Sequence, residues 1–302
     1  MEEDNKKIIL LNIKSIYILK QILDNLDESK LLNLIRYNKC HQNKLNIDIN
    51  TYKEAKKIEI EIIPYYQCDK EKFINIPFKK EMFFHIYFND NKEEIKRNYR
   101  LLSENNIKKI KVIIDPQIVS LRNLFHRCAN KKIDFIKFNN KDINDMSYMF
   151  YHCHLLEELN ISKLKTNKVT KMICMFAECK LLKELDLSNF NTENVTHMSN
   201  MFLSCDSLKK LDLSSFNTNN VIKMDFMFFG CKALEELNLT NFNTNNVITM
   251  NCMFCVCSSL KELNISSGFN TSKVKDMDQI LNGCNSLKNR QVIEKAIGFV
   301  KK

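Results

Sequence analysis

Glycine is scarce in this chain, with four in 302 residues. The four stand far apart, and neither the dinucleotide-binding GxGxxG nor the P-loop pattern occurs, nor does a GxSxG nucleophile elbow. Long apolar runs are also missing. No stretch approaches the ~18 residues of a membrane-spanning helix. The opening MEEDNKK is acid-rich, and the IILLNI after it is too short for a signal peptide. Without an export signal, a cytoplasmic location is expected. Focused charge is the third absence. The net charge of +10 divides into +4 over residues 1–120 and +6 over 121–302, with no basic tract. Charge alone would allow attraction to nucleic acid or an anionic membrane, but the even spread points to no specific nucleic-acid partner.

What the chain does contain is a repeat. LKELDLSNFNTENVTHMSNMFLSC, LKKLDLSSFNTNNVIKMDFMFFGC, LEELNLTNFNTNNVITMNCMFCVC and LKELNISSGFNTSKVKDMDQILNGC follow one another. The closing apolar residue and cysteine fall at Phe125/Cys128, Phe150/Cys153, Phe176/Cys179, Phe202/Cys205, Phe228/Cys231, Phe254/Cys257 and Leu281/Cys284. The steps are 25, then four of 26, then 27, with an extra residue near Gly268 explaining the longest. Ile107, Ile110 and Val112, followed by Ile118, Leu121 and Leu124, read as the first unit. Seven units from Ile107 to Cys284 exceed the rough minimum of about three for a stacked core.

Within a unit, Leu211 and Leu213 alternate with Lys210 and Asp212, as in a strand with one buried face. A turn-forming Ser-Phe-Asn-Thr-Asn-Asn follows. Val221, Met224, Met227 and Phe228 then recur at three-residue steps, which fits a short helix or helical turn, or a second short strand at the valine. The fold expected is an α/β repeat solenoid: a leucine-rich-repeat-like stack of about seven coils with a parallel strand ladder. Asn191, Asn217, Asn243 and Asn270 of the FNT turns are expected to point inward and stabilise the bends, a ligand-binding row of amides being the other reading.

Seven of the twelve cysteines are the repeat cysteine, a small apolar core residue in this setting. Neighbours in such a ladder could approach disulfide range, but each would compete with the next. Cys252, Cys255 and Cys257 sit close in sequence, yet Cys257 is the repeat cysteine, Cys252 stands where other units carry Cys174, Asn200 and Phe226, and Cys255 where they carry Tyr151, Ala177, Leu203 and Phe229. No pair of CxxC motifs completes four zinc ligands. No metal and no cofactor are expected. The cysteines read as reduced thiols. His152 and His154 read as solvated or partly buried imidazoles. The carboxylates recur with the unit, so they are scaffold positions rather than catalytic pairs, and no enzyme is expected.

Residues 1–50 contain two amphipathic helical patterns. Ile18, Leu19, Ile22, Leu23 and Leu26 form the first, and Leu31, Leu32, Leu34 and Ile35 begin the second. Residues 51–106 supply strands around Ile58–Ile62 and MFFHIYF, with a helix across Lys92–Ser103, and cap the repeats spanning 107–284. Residues 285–302 place Val292, Ile293, Ala296, Ile297 and Val300 on one side of a closing helix.

The repeat, through its FNT, NV-x-x-M and MF-x-x-C elements, resembles the BspA-like leucine-rich-repeat family of bacterial and protist surface-type proteins. The likeness covers Ile107–Cys284 and implies binding rather than chemistry. It departs from the common leucine-rich repeat, with phenylalanine where asparagine is usual. ILKQILDNLDESKLLNLIRYNK is similar to an F-box but lacks the leading Leu-Pro. That similarity implies that residues 13–45 dock a cullin-complex adaptor, the alternative being a plain helical cap.

The function expected is a non-enzymatic protein-interaction scaffold, in the F-box version a substrate adaptor for ubiquitin ligation. The alternative is a BspA-like surface adhesin. The strand face should present Glu158, Glu184, Lys210, Glu236 and Glu262 in one row. Asp186, Asp212, Asn238 and Asn264 form the next. Together they make a mostly acidic ribbon suited to a basic or amide-rich partner.

Overall fold

The structure, a computed structural model, describes residues 49–65, 70–95, 99–101 and 106–298. The helix pair expected within residues 13–45, Cys40, Cys68 and Val300 lie outside these. Contacts divide the chain at Lys56/Lys57. Of the first unit, helix α1 (Ile49–Lys56) is described.

The second unit opens with a five-stranded sheet. Its strands are β1 (Ile58–Pro64), β2 (Phe84–Phe88), β3 (Ile110–Ile114), β4 (Asn130–Phe138) and β5 (Glu158–Asn160), in the order β2-β3-β1-β4-β5. In β1, Ile58, Ile60 and Ile62 are fully buried while Glu59 and Glu61 face outward, the alternation a half-buried strand requires. β1 lies antiparallel between β3 and β4. Thus Ile110–Ile114 is not the first rung of a parallel ladder, contrary to expectation. Alternation marks a buried face, but it does not specify the neighbour or its direction. β4 joins two architectures, antiparallel to β1 on one side and parallel to β5 on the other. The described part of the expected Lys92–Ser103 helix is not helical. Ile95 bonds to Ile86 (2.8 Å), and residues 99–101 pair with residues 70–73.

From Ser120 onward the units stack. Parallel bridges run Ser120–Asp145–Lys171–His197–Lys223–Thr249–Asp276. The V-x-x-M-x-x-MF segment is not a helix; it is a chain of turns. Met149, Tyr151 and Cys153 donate their N–H groups to the carbonyls three residues back, while Met146, Tyr148, Phe150 and His152 donate theirs to the next unit at 2.7–3.2 Å. The three-residue step seen in the sequence is therefore a step of turns. Two residues per unit take positive φ: Tyr148 and His152, Cys174 and Glu178, Asn200 and Ser204, Phe226 and Gly230. Such a conformation strains a non-glycine residue by about 1–2 kcal/mol. The bonds to both neighbouring units hold it in place.

The core follows the repeat. Phe150, Phe176, Phe202, Phe228 and Phe254 stack face to face with centroids 5.6–5.7 Å apart, beginning on Phe125. Each repeat cysteine is buried, and from Cys153 onward its thiol donates to the phenylalanine carbonyl of the unit before. Cys153 reaches Phe125 O (2.9 Å), Cys205 reaches Phe176 O (3.2 Å), and the series continues to Cys284 with Phe254 O (2.9 Å). At the first unit, where no earlier unit exists, Asn75 fills the place: its Nδ2 donates to His126 O (2.7 Å) and Cys128 Sγ (3.4 Å).

In the FNT turn the inward residue is threonine, not asparagine. Thr192 is fully buried; its Oγ1 donates to Asn217 O and accepts from Asn217 N, both at 2.8 Å. Thr166, Thr218 and Thr244 repeat the bond to the next unit. Asn191, Asn217, Asn243 and Asn270 instead accept the N–H two residues on, at 2.9–3.0 Å, closing Asx turns. A threonine with both a donor and an acceptor suits the buried bend, because one hydroxyl satisfies two backbone groups.

The strand side is looser than expected. Regular pairing occurs between β4 and β5 and between β6 (Glu236–Leu239) and β7 (Glu262–Ile265). The equivalent leucines Leu185, Leu187, Leu211 and Leu213 are buried but lie outside any strand. Helix α2 (Arg290–Ala296) closes the stack with Ile293 and Ile297 buried. Val292, expected on that side, is 67% exposed.

Candidate strand-face interaction site

All nine residues expected on the face are exposed: Glu158, Glu184, Asp186, Lys210, Asp212, Glu236, Asn238, Glu262 and Asn264. Leu185, Leu211, Leu237 and Leu263 between them are buried and Leu159 beside Glu158 is partly so; the alternation of each strand segment produces the two rows. Where β6 and β7 pair, the register is direct, with Glu236 opposite Glu262 and Asn238 opposite Asn264. Like charges placed opposite one another weaken a ladder slightly.

The two rows have different duties. Asp186 Oδ1 accepts the Ser188 N–H (3.0 Å), Asp212 Oδ1 the Ser214 N–H (2.9 Å) and Asn238 Oδ1 the Thr240 N–H (3.0 Å). Each closes the bend that ends its strand segment. Bonds from Ser188, hydroxyl first and N–H second, hold Asp186 below the usual carboxylate range; for Asp212 the Ser214 N–H leads. This row therefore has a structural use of its own. In the other row, Glu158 is tied to Lys132 at 2.7 Å, and this bond holds its carboxyl below the ordinary range.

One position earlier in each unit stands a row that sequence reasoning left out: Lys131, Glu157, Lys183, Lys209, Glu235 and Lys261. Lys131 pairs with Glu157 at 3.8 Å and Lys261 with Glu235 at 2.5 Å. The acidic ribbon thus has a largely basic border, and part of its charge is met by neighbouring units. Exposed pairs of this kind contribute about 0–1 kcal/mol each, so they add little to the cohesion of the units. The signal was present in the sequence, since the first x of each L-x-x-L is lysine in three of the four clean copies.

The ten described cysteines are all free. Burial pushes the thiols of Cys128, Cys153, Cys179, Cys205 and Cys231 up, to about 12 for Cys153 and Cys231, so they stay protonated donors; at the end of the ladder the bond between Cys257 and Cys284 raises the first and lowers the second. Cys255 is buried and Cys252 half-buried. Among the described residues no group of three or more His, Cys, Asp or Glu could hold a metal ion. His152 Nδ1 lies 2.8 Å from Glu178 and its ring is partly buried; His154 is exposed. No described helix is long and apolar enough to cross a membrane.

The family described as "Mycoplasma protein of unknown function, DUF285" matches residues 119–236 and 204–295. The match covers the stacked units, runs into helix α2 and agrees with the BspA-like resemblance carried by the repeat motifs; it leaves out residues 13–45, where the F-box similarity lies. No curated protein matches. Among solved structures, a leucine-rich repeat protein from Bacteroides ovatus is similar at 15% identity, covering 67% of this chain and 80% of that one, with a TM-score of 0.21.

Proposed function

Because this chain belongs to the family described as Mycoplasma protein of unknown function, DUF285, we propose that it works without catalysis, as a protein-interaction scaffold. Its seven units form a leucine-rich-repeat-like solenoid, and its strand face grips a protein partner. The observation that carries this reading is the exposure of Glu158, Glu184, Lys210, Glu236 and Glu262 in one row above buried leucines. Ionic groups set on a rigid scaffold at regular spacing favour a partner of complementary charge. The buried free thiols support a reducing compartment, and so a cytoplasmic scaffold.

Proximity labelling in the native cell, followed by capture with the purified chain, tests this. Reversing Glu184, Glu236 and Glu262 to lysine should abolish recovery of the labelled partner while leaving the melting temperature unchanged. Equal recovery by both proteins removes the strand face from the reading. The family match fits a BspA-like surface protein as well; protease treatment of intact cells would cleave that form and spare the scaffold. The ubiquitin-adaptor version rests on residues 13–45 alone.

A further inference from the structure

We propose that the turn Pro77–Phe83 is a membrane-surface anchor that inserts Phe78 and Met82 into an anionic phospholipid interface. These are the two most exposed large apolar side chains among the described residues, Phe78 at 83% and Met82 at 74%. They stand four residues apart in the same turn. Val292 follows at 67% on a helix elsewhere, and the remaining exposed apolar side chains reach 46% at most. Apolar exposure concentrated at one tip is unusual for a surface that meets only water.

The turn is firmly built. Lys80 N–H donates to Pro77 O and Phe83 N–H to Lys80 O, each at 3.0 Å. Asp115 N–H donates to Phe83 O at 3.0 Å, and Phe84 is buried at the start of β2. The sheet thus holds the base while Pro77, Phe78, Lys79 and Lys80 are all exposed.

Charge selects the occupant. Lys79 and Lys80 lie between the two apolar tips, with Lys79 Nζ 5.5 Å from the Phe78 ring centroid and Lys80 Nζ 5.5 Å from that of Phe83. The acidic groups around the base are Glu81, which is half-buried, Asp115, which faces Lys57 (3.6 Å) and His85 (3.4 Å), and Glu94, 3.2 Å from the other side of the His85 ring. Between Phe78 and Met82 the turn carries two exposed positive charges, Lys79 and Lys80, against the one half-buried negative charge of Glu81. An aromatic ring and a thioether that enter the headgroup–acyl boundary, with ammonium groups left at phosphate level, are the components of an interfacial anchor. A convex tip also suits a deformable bilayer, which yields around it without a preformed pocket. The anchor lies outside the family-matched residues and away from the strand face, so its failure leaves the scaffold reading standing.

Flotation of the full chain with lipid vesicles tests it. The chain should float with phosphatidylcholine vesicles containing phosphatidylserine, less so as salt rises, and not with phosphatidylcholine alone. Phe78→Ser with Met82→Ser should weaken binding by about tenfold or more, because two large apolar side chains are no longer buried. Lys79→Gln with Lys80→Gln should remove the dependence on phosphatidylserine. Both double variants alter exposed side chains, and an unchanged melting temperature verifies their fold. No flotation of the native chain, or flotation of both variants equal to it, overturns the proposal.

Discussion

The turn side and the strand side of each unit differ in how tightly they join the next. On the turn side alternate N–H groups cross to the neighbour, phenylalanine rings stack at 5.6–5.7 Å, and every thiol from Cys153 to Cys284 in the ladder bonds to the preceding unit. On the strand side regular pairing is interrupted around Leu185 and Leu211, which are 8% and 7% exposed, whereas Leu237 and Leu263 in paired strands are at 1% and 0%. The paired rings Phe190 and Phe216 sit 6.4 Å apart. Cohesion is concentrated on the turn side. The opposite side can therefore carry charges chosen for something other than stability.

The largest test of this contrast is a pair of truncations. Phe202→Ala should cost about 3–5 kcal/mol, since the ring is fully buried between Phe176 and Phe228. Leu211→Ala should cost about 2 kcal/mol, the low end for a core leucine, because its site is already partly open. Denaturant unfolding of the two variants compares them directly. Equal losses would mean that both sides bind the stack alike.

A smaller effect tests the bend that joins the two sides. Thr192→Val keeps the volume but removes both bonds to Asn217, and should destabilise by about 1–3 kcal/mol. Asn191→Ala, which loses only the half-exposed Asx bond to Glu193 N–H, should cost about 1 kcal/mol or less. The reverse order in thermal melts would restore asparagine as the residue that holds the turn.

The threonine case shows what the sequence made legible. Period, register and buried positions could be read because every large apolar side chain in the unit recurs with the fold's own repeat. Two polar residues side by side, Asn191 and Thr192, carry no such cue to which one turns inward. A hint existed at Lys165–Thr166, where threonine remains though the asparagine is lost, and Thr166 is buried. The turn chain was hidden for a different reason. Consecutive turns and a helix both bring residues back at about three positions, and the usual marker of a left-handed turn residue, glycine, is replaced by Tyr148, Cys174, Asn200 and Phe226. Of the site, the exposed rows were legible from strand alternation. The ion pairs between units were not, since they depend on which units are neighbours and on rotamers that reach across.

The smallest expected effect separates structural from interaction charges on the strand side. The carboxyls of Asp186 and Asp212 titrate below their ordinary range because Ser188 and Ser214 donate to them. Their folded pKa is thus lower than in the unfolded chain, where it is about 3.9. The stabilisation they give is present above that value and fades as the pH falls through the folded pKa. Glu158 and Glu235, held low by lysine partners, add to the same acid limb. Asn238 makes the same bend with an amide, accepting from Thr240 without a charge to lose. Asp186→Asn with Asp212→Asn should therefore preserve the bends and flatten the fall in unfolding midpoint below about pH 4. It should leave partner capture at neutral pH close to that of the native chain, because these groups serve the backbone. A capture loss as large as that from reversing Glu184, Glu236 and Glu262 would instead assign both rows to the partner.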